Sequence, residues 1–108
     1  MKSDYAGDYA IELVKFKSEA EQGNAVAQYN LGVLCATGKG IAQDYAEAAS
    51  WFKLSAEQGY AKSQCNLGVM YDQDKGVAQN YAEAAKWYRL SAEQGNRKAQ
   101  FNLGVMYH

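Results

Sequence analysis

One candidate set of oxygen ligands in the chain is DQDKGVAQNYAE at 72–83. It places Asp72, Asp74 and Glu83 where positions 1, 3 and 12 of a calcium-binding loop would stand. Such a loop needs glycine at its sixth position for the sharp turn, and Val77 stands there. The segment therefore reads as a polar connector running into a helix cap. Nucleophilic chemistry is equally short of parts. The thiols are Cys35 and Cys65, and the only histidine is His108, so no nucleophile–base pair can be assembled from these residue types. No metal site or cofactor is expected, and the chain reads as noncatalytic. Trp51 and Trp87 lie 36 residues apart, a spacing that suits helix-interface residues better than a stacking platform.

Composition narrows the field further. Eleven Lys and Arg against twelve Asp and Glu leave a net charge of −1, which lacks the footprint of a nucleic-acid binder. No apolar run approaches the ~18 residues of a membrane span, so membrane insertion is not expected. The opening MKSDYAGDYA lacks the apolar stretch of a signal peptide. That leaves the compartment open between a cytoplasmic protein and a processed or truncated periplasmic or secreted one. Proline is absent while glycine numbers ten, as suits closely packed helices.

The elements that position these residues follow from a repeat. AEQG stands at 20–23, 56–59 and 92–95, and NLGV at 30–33, 66–69 and 102–105, always 36 residues apart. Residues 37–72 and 73–108 agree at 24 of 36 positions, and residues 1–36 and 37–72 at 16. Each period holds a long and a short helical segment. The long one reads DYAEAASWFKLSAEQ at 44–58 and NYAEAAKWYRLSAEQ at 80–94, opened by the cap residues Asp44 and Asn80 with Glu47 and Glu83 three places later. Tyr45, Ala48, Ala49, Phe52, Ser55 and Ala56 share one face at helical spacing. The short segments are 25–36, 61–72 and 97–108, and no segment alternates with the period of a strand. Each short segment carries an interior glycine, Gly32, Gly68 or Gly104, at a cost of roughly 1 kcal/mol against alanine. Close approach of the paired helix is the expected compensation.

Leu67-Gly68 with Tyr71 three residues on, a Gly-rich connector, and the run ending in Ala-Glu-Gln-Gly together resemble the Sel-like repeat family, a relative of the tetratricopeptide arrays. The resemblance covers essentially the whole chain. It implies an all-α fold, a right-handed α-solenoid of antiparallel helix pairs with six helices, tetratricopeptide-like. It forms one repeat domain over 1–108: a capping helix in 1–23, repeats at 24–59 and 60–95, and a half-repeat at 96–108 that reads as truncated. Two departures stand out. Cys35 replaces the aromatic, and Asp74 replaces the connector glycine found at Gly38, a place where Asp tolerates left-handed backbone. Cysteine-rich members of the family staple each helix pair, but here Cys35 and Cys65 are offset by about six residues, roughly 9 Å along neighbouring helices. Free thiols are expected.

The two ends differ. Glu12, Lys15 and Glu19 occupy the places of Ala48, Trp51 and Ser55, so the first helix is charged where internal ones are small or aromatic, as suits a cap. Ile11 and Val14 are expected to form a small exposed apolar patch. The last short helix copies an internal one and would leave Leu103, Met106 and Tyr107 uncovered, a surface for end-to-end self-association.

Positions unvarying between repeats serve stacking, and those that change are free for recognition. Gln28, Gln64 and Gln100, and Asn30, Asn66 and Asn102, never vary. They read either as a ladder gripping a peptide backbone or, preferably, as amides satisfying neighbouring helix ends. The short helices present Val26/Lys62/Lys98, Tyr29/Cys65/Phe101, Val33/Val69/Val105 and Ala36/Asp72/His108 at i, i+3, i+7 and i+10. By resemblance to tetratricopeptide arrays, this face lines the concave groove. Three helices ~9–10 Å apart would span about 20 Å. The expected role is a protein-interaction module that takes a protein or peptide partner in that groove. Lys62 and Lys98 would favour an acidic segment or terminal carboxylate, with Tyr29 and Phe101 as apolar anchors. The rival expectation is a structural spacer within a larger repeat protein.

Overall fold

In the computed structural model, residues 5–107 are described, and their side chains from 11 onward. Among them stand six α-helices and no strand: α1 (Tyr5–Glu21), α2 (Ala25–Thr37), α3 (Tyr45–Glu57), α4 (Ala61–Gln73), α5 (Tyr81–Glu93) and α6 (Arg97–Met106). His108, placed on the recognition face by the sequence, lies outside the described residues. The helices start where the cap residues foretell. The Glu47 amide donates to Asp44 Oδ1 at 3.0 Å and the Glu83 amide to Asn80 Oδ1 at 3.0 Å. The reciprocal half of the capping box is absent at Asp44, because its own amide donates to the Cys35 carbonyl at 2.8 Å. That bond ties the connector back onto α2.

Each helix packs chiefly on the one before and the one after, which makes a solenoid 52 × 24 × 23 Å. Its radius of gyration, 14.5 Å, exceeds the ~13 Å of a compact chain this long. The tightest contacts join α2 to α3 and α4 to α5. The interior glycines explain them. A Cβ at Gly32 would lie 2.7 Å from Phe52 Cε1, and one at Gly68 would lie 2.7 Å from Tyr88 Cδ1. The expected close approach is thus a seat for an aromatic ring of the following long helix. Leu31, Leu67, Phe52 and Tyr88 are buried around these seats.

A polar ladder runs through the same interfaces. Gln28 Nε2 donates to the Ala20 carbonyl (3.1 Å), and Gln64 Nε2 repeats the bond to Ala56 (3.2 Å). From the next long helix, Gln58 Nε2 donates to Gln28 Oε1 (2.9 Å) and to the Gly23 carbonyl (2.9 Å). Gln94 does the same to Gln64 and Gly59. Ser55 Oγ donates to the Ala25 carbonyl at 2.8 Å and Ser91 Oγ to the Ala61 carbonyl at 2.7 Å. The unvarying glutamines are therefore structural satisfiers, as preferred from the sequence. Asp74 takes the left-handed conformation at φ 59° that Gly38 takes at 74°, and its carboxylate accepts the Gln79 amide at 2.9 Å. On α1, Ile11 and Val14 are exposed as expected.

Candidate functional site

The variable face of the short helices is built from what the seats leave over. With Leu31, Gly32 and Cys35 turned into the core, Val26, Tyr29 and Val33 are left at the surface or its edge. The structure gathers part of the sequence-predicted set into one cleft of about 220 Å³ between α2 and α4. Val33, Val69 and Met70 line it, with the Phe52 ring from α3 at its base. Lys75 and Lys98 stand on its lining, as does Asn66. Phe52, Lys75 and Asn66 were not in the expected set. Repeat comparison could not separate Asn66 from the structural glutamines, since both are unvarying.

Their environments separate them. Asn66 is half-buried and forms no side-chain hydrogen bond with another described residue. The aromatic 14 positions upstream also differs between the repeats. In the next repeat the Tyr88 hydroxyl donates to Asp72 Oδ2 at 3.2 Å. Phe52 replaces that tyrosine and has no hydroxyl, and the Asn66 side chain lines the cleft beside it.

The other predicted residues fall around this centre. Lys62 Nζ sits 6.0 Å from the Tyr29 ring centroid, and Tyr29 packs edge-on to Tyr60 (5.4 Å) and tilted against Phe52 (6.0 Å). Asp72 and Val105 line a second cleft of about 450 Å³ with Tyr81 and Met106. Phe101, 71% exposed, joins Val105 and Gly104 in a shallow third. Val26 is exposed and lines none of these clefts. Cys65 is the exception to the expected surface: it is 2% exposed and packs in the core beside Ala84, Tyr88 and Ala99, so it offers nothing to a ligand. Cys35 is buried in the aromatic's place.

Lys75 and Lys98 line the first cleft, and Lys62 lies by the Tyr29 ring outside it, while the Asp72 carboxylate accepts from Tyr88. Both thiols are free. Burial, assisted by Glu47 and Asp44, pushes the Cys35 thiol up to about 11; burial raises Cys65 as well, against an opposing pull from Lys98. Neither is a thiolate near neutral pH. Among the described residues no group of three or more His, Cys, Asp or Glu side chains is placed to hold a metal ion, and no helix is long and apolar enough to cross a membrane.

The Sel1 repeat family model matches residues 25–60, 61–96 and 97–108. The chain belongs to the Sel1 repeat family. Solved structures agree. The chain is 41% identical, with a TM-score of 0.87 over 88% of its length, to a protective antigen of uropathogenic Escherichia coli strains that displays an SLR fold. It is also 41% identical, with a TM-score of 0.77 over 79% of its length, to a Sel1 repeat protein from Oxalobacter formigenes. It spans 20% and 35% of those two chains. Helicobacter pylori cysteine-rich protein B shares the fold at 21% identity, with a TM-score of 0.80 over 84% of this chain and 68% of its own. Among curated proteins no relative matches the sequence. Sel1 repeat proteins are in general protein-interaction modules of a noncatalytic, scaffold type.

Proposed function

We propose that this Sel1 array is a noncatalytic module that holds an extended, acidic segment of a protein partner along the face of α2, α4 and α6. The observation carrying this is the 220 Å³ cleft, where apolar Val33, Val69 and Phe52 meet an unengaged Asn66 amide and the Lys98 ammonium. A peptide backbone offers an N–H and a C=O per residue, and a carboxamide answers both. Apolar side chains of the segment enter the cleft, and its carboxylates meet Lys62, Lys75 and Lys98. The aromatic pair Tyr29 and Phe101 flanks the run, with Val26 and Val105 at its margins.

The test is fluorescence anisotropy of labelled hexapeptides, half of them acidic with a free C-terminal carboxylate and half basic. Acidic peptides are expected to bind more tightly, with affinity falling as salt rises. Lys62→Glu with Lys98→Glu should weaken binding by about tenfold or more, and Asn66→Ala by a similar factor. Equal affinity for both charge classes, or binding indifferent to all three changes, would overturn the groove reading. Failure of every peptide to bind would favour the spacer role.

A further inference from the structure

The cleft between α2 and α4 is walled on every side by described residues, from α2, α3, α4, the connector after α4 and the first turn of α6. A further helix beyond α6 would leave it open. Lys62, the counterpart of Lys98 one repeat earlier, stays exposed with α5 and α6 already in place. The cleft has two distinct ends. Lys98 stands at the Asn66 end, where it acts on the neighbouring Cys65 and pulls against the rise that burial gives that thiol. Lys75 stands at the Gln73 end. Asn66 and Gln73 are seven residues apart on α4, about 10 Å along its axis.

Lys75 is placed there by its backbone. Its amide donates to the Met70 carbonyl at 3.0 Å. Before it, Asp74 holds the left-handed turn. After it, Gly76 lies so close to the start of α3 that a Cβ there would run into the Tyr45 carbonyl. The Lys75 Nζ then rests 5.3 Å from the centroid of the Tyr45 ring, whose hydroxyl accepts from Gln43 Nε2 at 3.3 Å. Among the described residues Lys75 and Lys98 form no ion pair, and no carboxylate lines the cleft. Between the two lysines lie Val33, Val69 and Phe52. The cleft's 220 Å³ exceeds the roughly 150 Å³ of an apolar cavity that takes benzene, so it has room for one large side chain.

These features specify an order of residues in the ligand. Building on the groove reading, we infer that this cleft selects an extended run acidic–x–apolar–x–acidic, with the large apolar side chain over Phe52 and one carboxylate at each lysine. In an extended chain residues i, i+2 and i+4 share a face, and at ~3.3 Å per residue the outer two lie about 13 Å apart. That span overhangs the roughly 10 Å between Asn66 and Gln73 at both ends, toward the two ammoniums. With the apolar residue outside the acidic pair, one lysine would be left without a carboxylate whenever the cleft is filled.

The experiment measures fluorescence anisotropy of three labelled, end-capped pentapeptides of equal composition and charge: Glu-Ser-Phe-Ser-Glu, Phe-Ser-Glu-Ser-Glu and Glu-Ser-Glu-Ser-Phe. The first is expected to bind about tenfold or more tighter than either isomer, and to lose that margin when its Phe is replaced by Ala. Lys75→Glu and Lys98→Glu should each weaken it by about tenfold, while Lys53→Glu, which alters a different cleft, should not. Charge-swapped peptides read the register. Lys-Ser-Phe-Ser-Glu should recover binding to one of the two cleft variants and Glu-Ser-Phe-Ser-Lys to the other, which also fixes the direction of the chain. Recovery by both peptides alike, or by neither, overturns the bracketed motif. Equal affinity of the three isomers overturns the motif and leaves the groove standing, provided Lys-Ser-Phe-Ser-Lys binds more weakly than all of them. Failure of every peptide to bind overturns the motif and the groove reading together.

Discussion

The same substitution at two equivalent positions should have opposite signs. Gly68→Ala and Gly104→Ala both replace a helix-interior glycine, so each gains about 1 kcal/mol of helix propensity. At Gly104 that gain stands alone, since the new methyl has no neighbour within 4 Å. At Gly68 the methyl lies 2.7 Å from both Tyr88 Cδ1 and Cε1 and 3.3 Å from the Ala84 carbonyl. Relief requires the ring to retreat by most of an ångström, yet Tyr88 is buried and its hydroxyl is held by Asp72 at 3.2 Å. Overpacking of this kind costs about 1–3 kcal/mol, so the net is a loss of about 1 kcal/mol. The two variants should then differ by about 2 kcal/mol, on the order of 10 °C in thermal midpoint for a domain this size. Circular dichroism melts of the wild type and the two variants, run side by side, measure it. If Gly68→Ala raised the midpoint as much as Gly104→Ala, the aromatic-seat explanation of the repeated glycine would be refuted.

Three further outcomes follow from particular bonds. Gln64→Ala strips partners from the Ala56 carbonyl and from Gln94, so it should cost about 2 kcal/mol in urea unfolding, whereas Gln100→Ala loses one exposed bond and should cost under about 1 kcal/mol. Asp44→Ala removes the cap of α3 and should lower stability by about 1 kcal/mol, with Asp44→Asn recovering most of it. Cys35 and Cys65 should resist a thiol reagent at pH 8 in the native protein and react at once in denaturant, since both are buried and raised in pKa. The sign of their pH effect follows by linkage. The folded protein keeps the Cys35 proton up to about 11 while the unfolded chain releases it near 9. Stability is therefore fully present below pH 9 and declines as pH rises through that window, with Cys65 acting in the same direction. A urea midpoint that rises between pH 9 and 10.5 would contradict this.

How much was legible in the sequence depends on whether a residue's environment is set within its own repeat. Asp44, Asn80 and Asp74 act on backbone a few residues away, and the sequence placed each of them. Residues 29, 65 and 101 share one repeat position yet differ. Tyr29 is half-buried against Phe52 and Tyr60, small Cys65 is drawn into the core beside Tyr88, and Phe101 stands exposed on α6. Periodicity assigns all three to one face and cannot see those neighbours. Asn66 escaped for a similar reason. Its side chain bonds to no other described residue, while Gln64 two positions before it is fully engaged, and periodicity treats the two alike.

Phe52 links packing to recognition. The ring that Gly32 seats is the ring at the base of the cleft, so its position is fixed by the tightest contact in the array before any partner arrives. Val33 and Val69 are held at its sides by the same stacked helices. On the proposed reading, a segment entering the cleft would meet an apolar floor that needs no reordering, which removes one of the usual entropic costs of binding. The polar groups divide differently. The glutamines and serines are spent on holding one repeat to the next, whereas the Asn66 side chain bonds to no other described residue. On the proposed reading that leaves the Asn66 amide to a ligand while the glutamine ladder keeps the repeats stacked.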